Sequence, residues 1–342
     1  MEMAGFITLN NGRRIPQVAL GTSRISSEKL EVTIKRALDM GYRHIDTAFL
    51  YGNEAAIGKA LHEHMASTNL SRQEIFVTTK LFPTYMKGSA VGLALDESLR
   101  RLRLDYVDLF LIHLPCAMKE IETYPSKPTQ PTEMMSVDLR ETWKAMEETV
   151  YKGKVRSIGV SSFNSKQLAY ICETARIQPA INQVEAHARL PQKNLHEFCK
   201  SRNILLEAFC PLGSPFFIGP TERNTVQSRD NLVENPIIMD IAENYKRTAG
   251  QILLRNLVQR GIAVIPKSEN PKRMKENLQV QGSSRISFSR RLLKPTLQRN
   301  MKCVLNQYQD VSGFLPGRKC MDNIQIYELF RLLFNNYDIT QL

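Results

Sequence analysis

"GYRHIDTAFLYGNEAAIG" occupies residues 41–58 and holds the pattern that decides the fold. "HIDTA" has the length and apolar weight of a buried strand. Ile57, Leu61 and Met65 then recur at helical spacing. Asp46 and Tyr51 fall between the two, on the lip where a strand gives way to a helix. The strand-then-helix unit recurs along the chain. Eight runs of strand length stand in order: "QVALG", "HIDTA", "IFVTT", "VDLFLIH", "SIGVS", "AINQVEA", "ILLEAF" and "IAVIP". Between them lie helical stripes. These are Leu30, Ile34, Ala37 and Leu38; Leu95, Leu99 and Leu102; Leu139, Trp143, Met146 and Val150; Leu168, Ile171, Cys172 and Ala175; and Leu195 with Phe198.

Strands that alternate with helices run parallel and are joined by right-handed crossovers. Eight of them close a barrel whose interior side chains can fill. The rival is an open doubly wound sheet, which carries a Gly-x-Gly-x-x-Gly phosphate loop after its first strand. Here that place reads "ALGTSRIS". The expected fold is therefore an α/β (β/α)8 barrel over residues 1–280. An N-terminal hairpin precedes it at "FITLNNGRRI" (6–15), where Asn-Gly predicts a two-residue type I′ turn. "SRQE" (71–74) has the form of a capping box directly before a strand.

Composition sets the class. Apolar residues make up 42% and charged residues 23%, ordinary values for a globular chain. No run of about 18 apolar residues exists, so no membrane span is expected. "MEMAGFITLN" has no basic-then-apolar leader, and six cysteines lie scattered without a Cys-x-x-Cys pair. Reduced thiols and a cytoplasmic location are expected. The net charge is +12, and residues 281–342 hold nine Lys or Arg against four acids. That stretch reads as a divergent basic extension, poorly ordered apart from an amphipathic segment at 323–336. No nucleic-acid motif accompanies it, so the excess charge points to an anionic cofactor plus a basic tail.

A closed βα barrel carries its chemistry on the strand C-terminal ends. Read there, the chain gives Asp46 and Tyr51, Lys80, His113, Ser161 and Ser162, Gln183 and His187, Phe209, and Lys267 with Ser268. Long loops at 114–137 and 213–234 are expected to cover the substrate. A phenol with a pKa of about 10 is a poor acid at neutral pH. A neighbouring ammonium favours its ionised form, an aspartate keeps that ammonium charged, and a histidine orients a carbonyl oxygen. Asp46, Tyr51, Lys80 and His113 form that set and would protonate a carbonyl oxygen while another group delivers hydride. A metal hydrolase is disfavoured by the missing His-x-His and the sparse strand-end carboxylates. A Schiff-base role for Lys80 is disfavoured by its acid partner. His44, His62, His64 and His187 read as structural or surface residues. No metal site is expected.

"GYRHIDTAFLYGNEAAIG", "LIHLP", "IGVSSFN", "NQVEAH" and "VIPKSENPKRMKEN" resemble the aldo-keto reductase superfamily, in its aldose reductase and hydroxysteroid dehydrogenase branch. The resemblance covers about residues 6–280. It implies NADPH-dependent reduction of aldehydes and ketones by a monomer. Tyr51 would be the general acid, Lys80 would tune it, Asp46 would hold Lys80, and His113 would orient the substrate. It also implies cofactor contacts from Gly21, Thr22, Asp46, Ser161, Ser162, Gln183, Phe209, Pro211, Leu212, Lys267, Ser268, Arg273, Glu276 and Asn277. Lys267, Ser268 and Arg273 would clamp the adenosine 2′-phosphate, Glu276 and Asn277 would hold the adenine, and Phe209 would stack on the nicotinamide. The substrate pocket would be lined by Tyr51, Phe82, His113 and Leu114. The partner is a small-molecule carbonyl compound, with no nucleic acid and no membrane. Several departures are visible. Ser162 stands where the family has Asn, Phe209 where it has Tyr, and Ser23 and Leu114 where Trp is frequent; Ala186 and Ala188 replace Cys and Pro. The alternative reading is a cofactor-binding, weakly active relative that acts as a redox sensor or partner subunit.

Overall fold

A computed structural model describes residues 5–119, 134–213 and 231–280, together with residue 286. Most of the two long loops, and the predicted helix at 323–336, lie outside the described residues.

The hairpin pairs β1 (Phe6–Thr8) with β2 (Arg14–Pro16) in antiparallel register. Its turn differs from the expected type I′. Leu9 N–H donates to Arg13 O at 2.8 Å, and Gly12 alone has positive φ, +80°. The loop is thus three residues long and ends in a left-handed glycine, which adds a bulge. Asn11 leaves the turn geometry to Gly12. Its Oδ1 accepts from Arg13 N–H at 3.2 Å, and its amide donates to Ser157 Oγ at 2.9 Å.

The barrel strands are β3 (Leu20–Gly21), β4 (His44–Asp46), β5 (Phe76–Leu81) and β6 (Val107–Ile112). After a short ribbon of β7 (Ala117–Met118) and β8 (Met134–Met135) come β9 (Val155–Ser161), β10 (Ile181–Glu185), β11 (Leu205–Phe209) and β12 (Ala263–Ile265). All eight predicted runs are present, each parallel to its neighbour. The first closes on the last through a parallel bridge from Val18 to Val264. Ala19 N–H donates to Val264 O at 2.9 Å and Gly21 N–H to Pro266 O at 3.1 Å. A Cβ on Gly21 would lie 3.0 Å from the Ile265 side chain, a tight approach that glycine relieves.

Helices α1 (Ser27–Asp39), α2 (Glu54–Ser67), α3 (Gly88–Leu102), α4 (Leu139–Tyr151), α5 (Ser165–Cys172) and α6 (Lys193–Ser201) wrap the barrel. They are followed by α7 (Pro236–Asn244), α8 (Ala249–Val258) and α9 (Pro271–Leu278). Their predicted stripes face inward: Leu30, Ile34, Ile57, Leu61, Leu95, Trp143, Met146 and Leu168 are all buried. Trp143 is core, and its indole donates to Ile177 O at 3.0 Å. Asn164, Thr248 and Asn270 cap α5, α8 and α9 by accepting from the third helical N–H, as short polar caps do. "SRQE" closes a capping box on one 3₁₀ turn, Arg72–Glu74, that ends where β5 begins.

Period-2 alternation divides the barrel interior into levels. At the bottom, Leu9 and Ile15 of the hairpin meet Phe76, Leu109, Leu111, Ile181 and Leu205, and apolar contact plugs that end. Farther up, the inward positions turn polar, which sets up the site.

Candidate active site

The Asp46–Tyr51 lip is fixed by local chemistry. Asp46 ends β4. Residues Phe49–Tyr51 make one 3₁₀ turn, and Gly52 closes it at φ +64°, a conformation that glycine adopts without penalty. Asn53 then ties the lip together. Its Nδ2 donates to Thr22 O at 2.9 Å, and its Oδ1 accepts from Thr47 Oγ1 at 3.0 Å. Thr22 Oγ1 in turn donates to Asp46 O at 2.8 Å. Asn53 was not foreseen, although a Gly-Asn step between a strand and a helix marks a turn.

Lys80 is 1% exposed. Its Nζ donates to Asp46 Oδ1 at 2.7 Å and to Thr47 O at 2.8 Å, and lies 3.4 Å from the Tyr51 hydroxyl. Burial works against this ammonium, but the charges and hydrogen bonds of Asp46 and Tyr51 prevail and raise its pKa above the usual lysine value. For Tyr51, burial is the largest effect and Asp46 adds to it, so the phenol pKa lies above 10; Lys80 opposes both. The sequence-based expectation of a sharpened phenol therefore holds for the direction of the lysine effect and not for the net direction, in which desolvation of the phenol outweighs Lys80. The rings of Tyr51 and His113 meet edge to face with centroids 5.8 Å apart. Burial first, then Lys80, hold His113 neutral, with a pKa well below 6.5. Its Nδ1 is buried without a hydrogen-bond partner among the described residues.

The structure therefore brings the four predicted catalytic residues together. Phe82 and Leu114 are also nearby but buried, at 1% and 4% exposure, and Phe82 packs on Phe49 with ring centroids 5.8 Å apart. His44 lies inside the barrel as a structural residue. Its Nε2 sits 2.9 Å from Thr78 Oγ1, and burial pushes its pKa down to about 3.

The predicted cofactor residues gather along the same strand-end rim. The seam at Gly21 places Gly21 and Thr22 beside Pro266 and Lys267. Ser162 N–H donates to Gln183 O at 2.8 Å, and Ser162 has φ +63°. That left-handed conformation suits the Asn usual in the family better than Ser. Phe209 ends β11 half-buried, paired with Glu185 on one side and Ile265 on the other. Pro211 and Leu212 continue into the turn that follows. At α9, Ser268 Oγ accepts from Asn270 N–H at 3.1 Å, and Asn270 Oδ1 accepts from Arg273 N–H at 3.1 Å. The Arg273 side chain is exposed, with no partner among the described residues. Glu276 is half-buried and Asn277 buried on the same helix. Lys267 Nζ donates to Glu269 Oε1 at 2.8 Å, and Lys29 stands 3.6 Å from the other carboxylate oxygen. This acid inside the basic cluster was not foreseen.

Gln183 holds the other unforeseen feature. Its Nε2 donates to Asp46 Oδ2 at 2.9 Å and to Glu207 Oε2 at 2.9 Å. Gln183 Oε1 has no partner among the described residues. Glu207 was missed, yet its signal was present: in "LLEAF" it lies two residues before Phe209, on the same inward face.

An eight-stranded βα barrel thus carries an acid–ammonium–phenol line at its strand ends and a basic helix start on the same rim, the face where such barrels place their active sites. The description "Aldo/keto reductase family" matches residues 17–286. The chain is 42% identical over 281 residues to Aldo-keto reductase family 1 member C15 of Rattus norvegicus, covering 80% of this chain and 85% of the relative. It is 40% identical to Aldo-keto reductase family 4 member C11 of Arabidopsis thaliana, covering 82% and 85%. The aldose reductase of Schistosoma japonicum superposes with a TM-score of 0.76 at 36% identity, covering 91% of this chain and 97% of that one. A Bombyx mori aldo-keto reductase, solved in complex with NADP, gives 0.76 at 34% identity, covering 87% and 93%. The chain belongs to the aldo/keto reductase family, whose members are oxidoreductases acting on carbonyl compounds.

Proposed function

We propose that the protein reduces aldehydes or ketones to alcohols with NADPH, Tyr51 serving as the general acid. The observation that carries this reading is the line from the buried Asp46–Lys80 pair to the half-buried Tyr51, with 2.7 Å and 3.4 Å between successive polar atoms. The dinucleotide fits the residues present. Lys267, Ser268 and Arg273 surround the start of α9, where helix N–H groups and a basic fork favour a phosphate. The carbonyl oxygen of Gln183 can accept from a carboxamide N–H, Ser161 and Ser162 stand beside it, and Phe209 offers a ring face. Glu276 and Asn277 line the adenine end.

When bound, the reduced nicotinamide supplies the hydride that adds to the carbonyl carbon. Tyr51 O–H donates its proton to the carbonyl oxygen. The phenolate left behind faces the Lys80 ammonium, which stabilises the charge as it develops. Asp46 keeps Lys80 protonated and held in place. A proton on His113 Nε2 would leave Nδ1 as a buried lone pair rather than an unmatched N–H, so the neutral ring presents a donor to the same carbonyl oxygen. Reduced thiols, a cytoplasmic location and a monomeric state belong to the same proposal; among the described residues no helix is long and apolar enough to cross a membrane.

The test is consumption of reduced cofactor against a panel of aliphatic aldehydes, aromatic aldehydes and ketones. NADPH should be consumed and NADH bound far more weakly. Arg273→Ala should weaken NADPH binding by about tenfold or more while leaving NADH nearly unchanged. Equal affinity of the parent chain for both dinucleotides would remove the phosphate-clamp reading. No turnover of any carbonyl would remove the reductase reading.

A further inference from the structure

The carboxyl of Glu207 is fully buried in the barrel, on the inward face of β11. One amide nitrogen bridges it to the aspartate that holds Lys80: the two N–H bonds of Gln183 Nε2 are divided between Asp46 Oδ2 and Glu207 Oε2, each at 2.9 Å. The remaining oxygen, Oε1, has no hydrogen-bond partner among the described residues and lies 4.0 Å from His44 Nδ1. His44 is itself directed elsewhere, toward Pro16 O at 3.4 Å and Thr78 Oγ1 at 2.9 Å. Two buried carboxyl groups thus share one neutral bridge, with one ammonium, Lys80, beyond the nearer of them.

We propose that Glu207 is a positioning residue for the carbonyl reaction, a proton-holding carboxyl that acts through Gln183 and Asp46 on the Lys80–Tyr51 pair. This rests on the reductase reading above. With Glu207 protonated, Asp46 and Lys80 balance, and the interior has no surplus charge. With Glu207 ionised, a second buried negative charge stands behind Asp46. It opposes ionisation of the phenol, and so weakens the acid that must give up its proton. The groups facing Glu207 are few. β10 brings Gln183, β4 brings His44 and Asp46, and β5 brings Lys80, with Tyr51 beyond it; the residue paired with Glu207 on β12 is Ala263, without charge. His44 stays neutral and cannot compensate. Burial first, then the Asp46 charge, push the Glu207 pKa up to about 8, against the opposing effects of Gln183 and Lys80.

The experiment compares kcat/KM for aldehyde reduction between pH 7 and pH 9 in the parent chain and in Glu207→Gln, which keeps an acceptor for Gln183 and cannot ionise. A group titrating near 8 loses its protonated fraction roughly tenfold over that interval. The parent should therefore fall by more than about threefold and at most roughly tenfold, and Glu207→Gln by less than about twofold. The same fall in both would overturn the proposal. Carbon-13 resonances of labelled glutamate carboxyls in the parent chain and in Glu207→Leu give a reading without turnover. One resonance should titrate near pH 8 in the parent and be missing from the variant. If no glutamate titrates above pH 6, the proposal is overturned even with both variants misfolded. A parent chain that reduces no carbonyl at any pH while showing the resonance would remove the reductase reading and confine Glu207 to a buried titrating carboxyl, overturning its role in the reaction.

Discussion

Lys80→Met separates the structural and chemical work of one side chain. Methionine fills much of the lysine volume and carries no charge. The ammonium lies 3.4 Å from the phenol oxygen. At an effective dielectric constant of about 20, a full phenolate there would gain about 5 kcal/mol. With the proton about half transferred in the transition state, about 2–3 kcal/mol of that is expressed, or roughly 30- to 150-fold in kcat/KM. The same change leaves Asp46 buried with Gln183 as its remaining side-chain donor, since the 2.7 Å contact to Lys80 is gone. Removing one partner of a buried pair costs about 3–5 kcal/mol of stability. Adding Asp46→Asn removes the stranded charge. The double variant should therefore regain most of the lost stability and none of the lost activity. Chemical denaturation gives the first quantity, and the dependence of steady-state NADPH consumption on aldehyde concentration, read as kcat/KM, gives the second. Turnover by Lys80→Met within about threefold of the parent would refute the reasoning, as would recovery of activity in the double variant.

Ser162→Asn should help at two levels. Asn tolerates φ near +63° better than Ser, so stability should rise by a few tenths of a kcal/mol. The longer amide adds a hydrogen bond to the carboxamide, about 1–3 kcal/mol, so the NADPH Kd measured by fluorescence quenching should fall about fivefold or more; an unchanged Kd would mean that the hydroxyl already meets that amide. Truncation tests the chain end. Ile286 packs with Leu232, Ile238, Ile241, Ile252 and Leu253, and exchanges hydrogen bonds with the Gln259 side chain at 2.7 Å and 3.0 Å. A chain ending at residue 280 should lose about 1–3 kcal/mol and a few degrees of Tm relative to one ending at residue 290. Equal melting would show that these contacts contribute nothing.

The barrel was legible because two periods alternate without interruption, and eight such units leave few topologies. The gathering of Asp46, Tyr51, Lys80 and His113 on one rim was legible because each stands at a strand end or on the turn that follows it. The turn type was not. Asn-Gly is compatible with two-residue and three-residue loops, and the contacts of Asn11 with Ser157 come from a strand far along the chain. Glu207 was overlooked because an acid inside an apolar run reads as a solvent-facing break. Only its parity with Phe209, together with closure of the barrel, turns it inward onto Gln183. The net acidity of Tyr51 was also beyond the sequence, because residue spacing carries the sign of the lysine effect but not the depth of burial that outweighs it. Glu269 lies between Lys267 and Lys29, where the motif suggested a clamp of Lys267, Ser268 and Arg273; the second of these partners comes from α1, far away in the chain.

The most direct test of the account is Tyr51→Phe, assayed for aldehyde reduction and for NADPH binding on the same preparation. The ring and its packing against His113 remain, while the only transferable proton on that side chain is lost. The expected result is a fall in kcat of about 10²-fold or more with an NADPH Kd within about threefold of the parent. Reduction at a rate near that of the parent chain would contradict the assignment of Tyr51 as the acid.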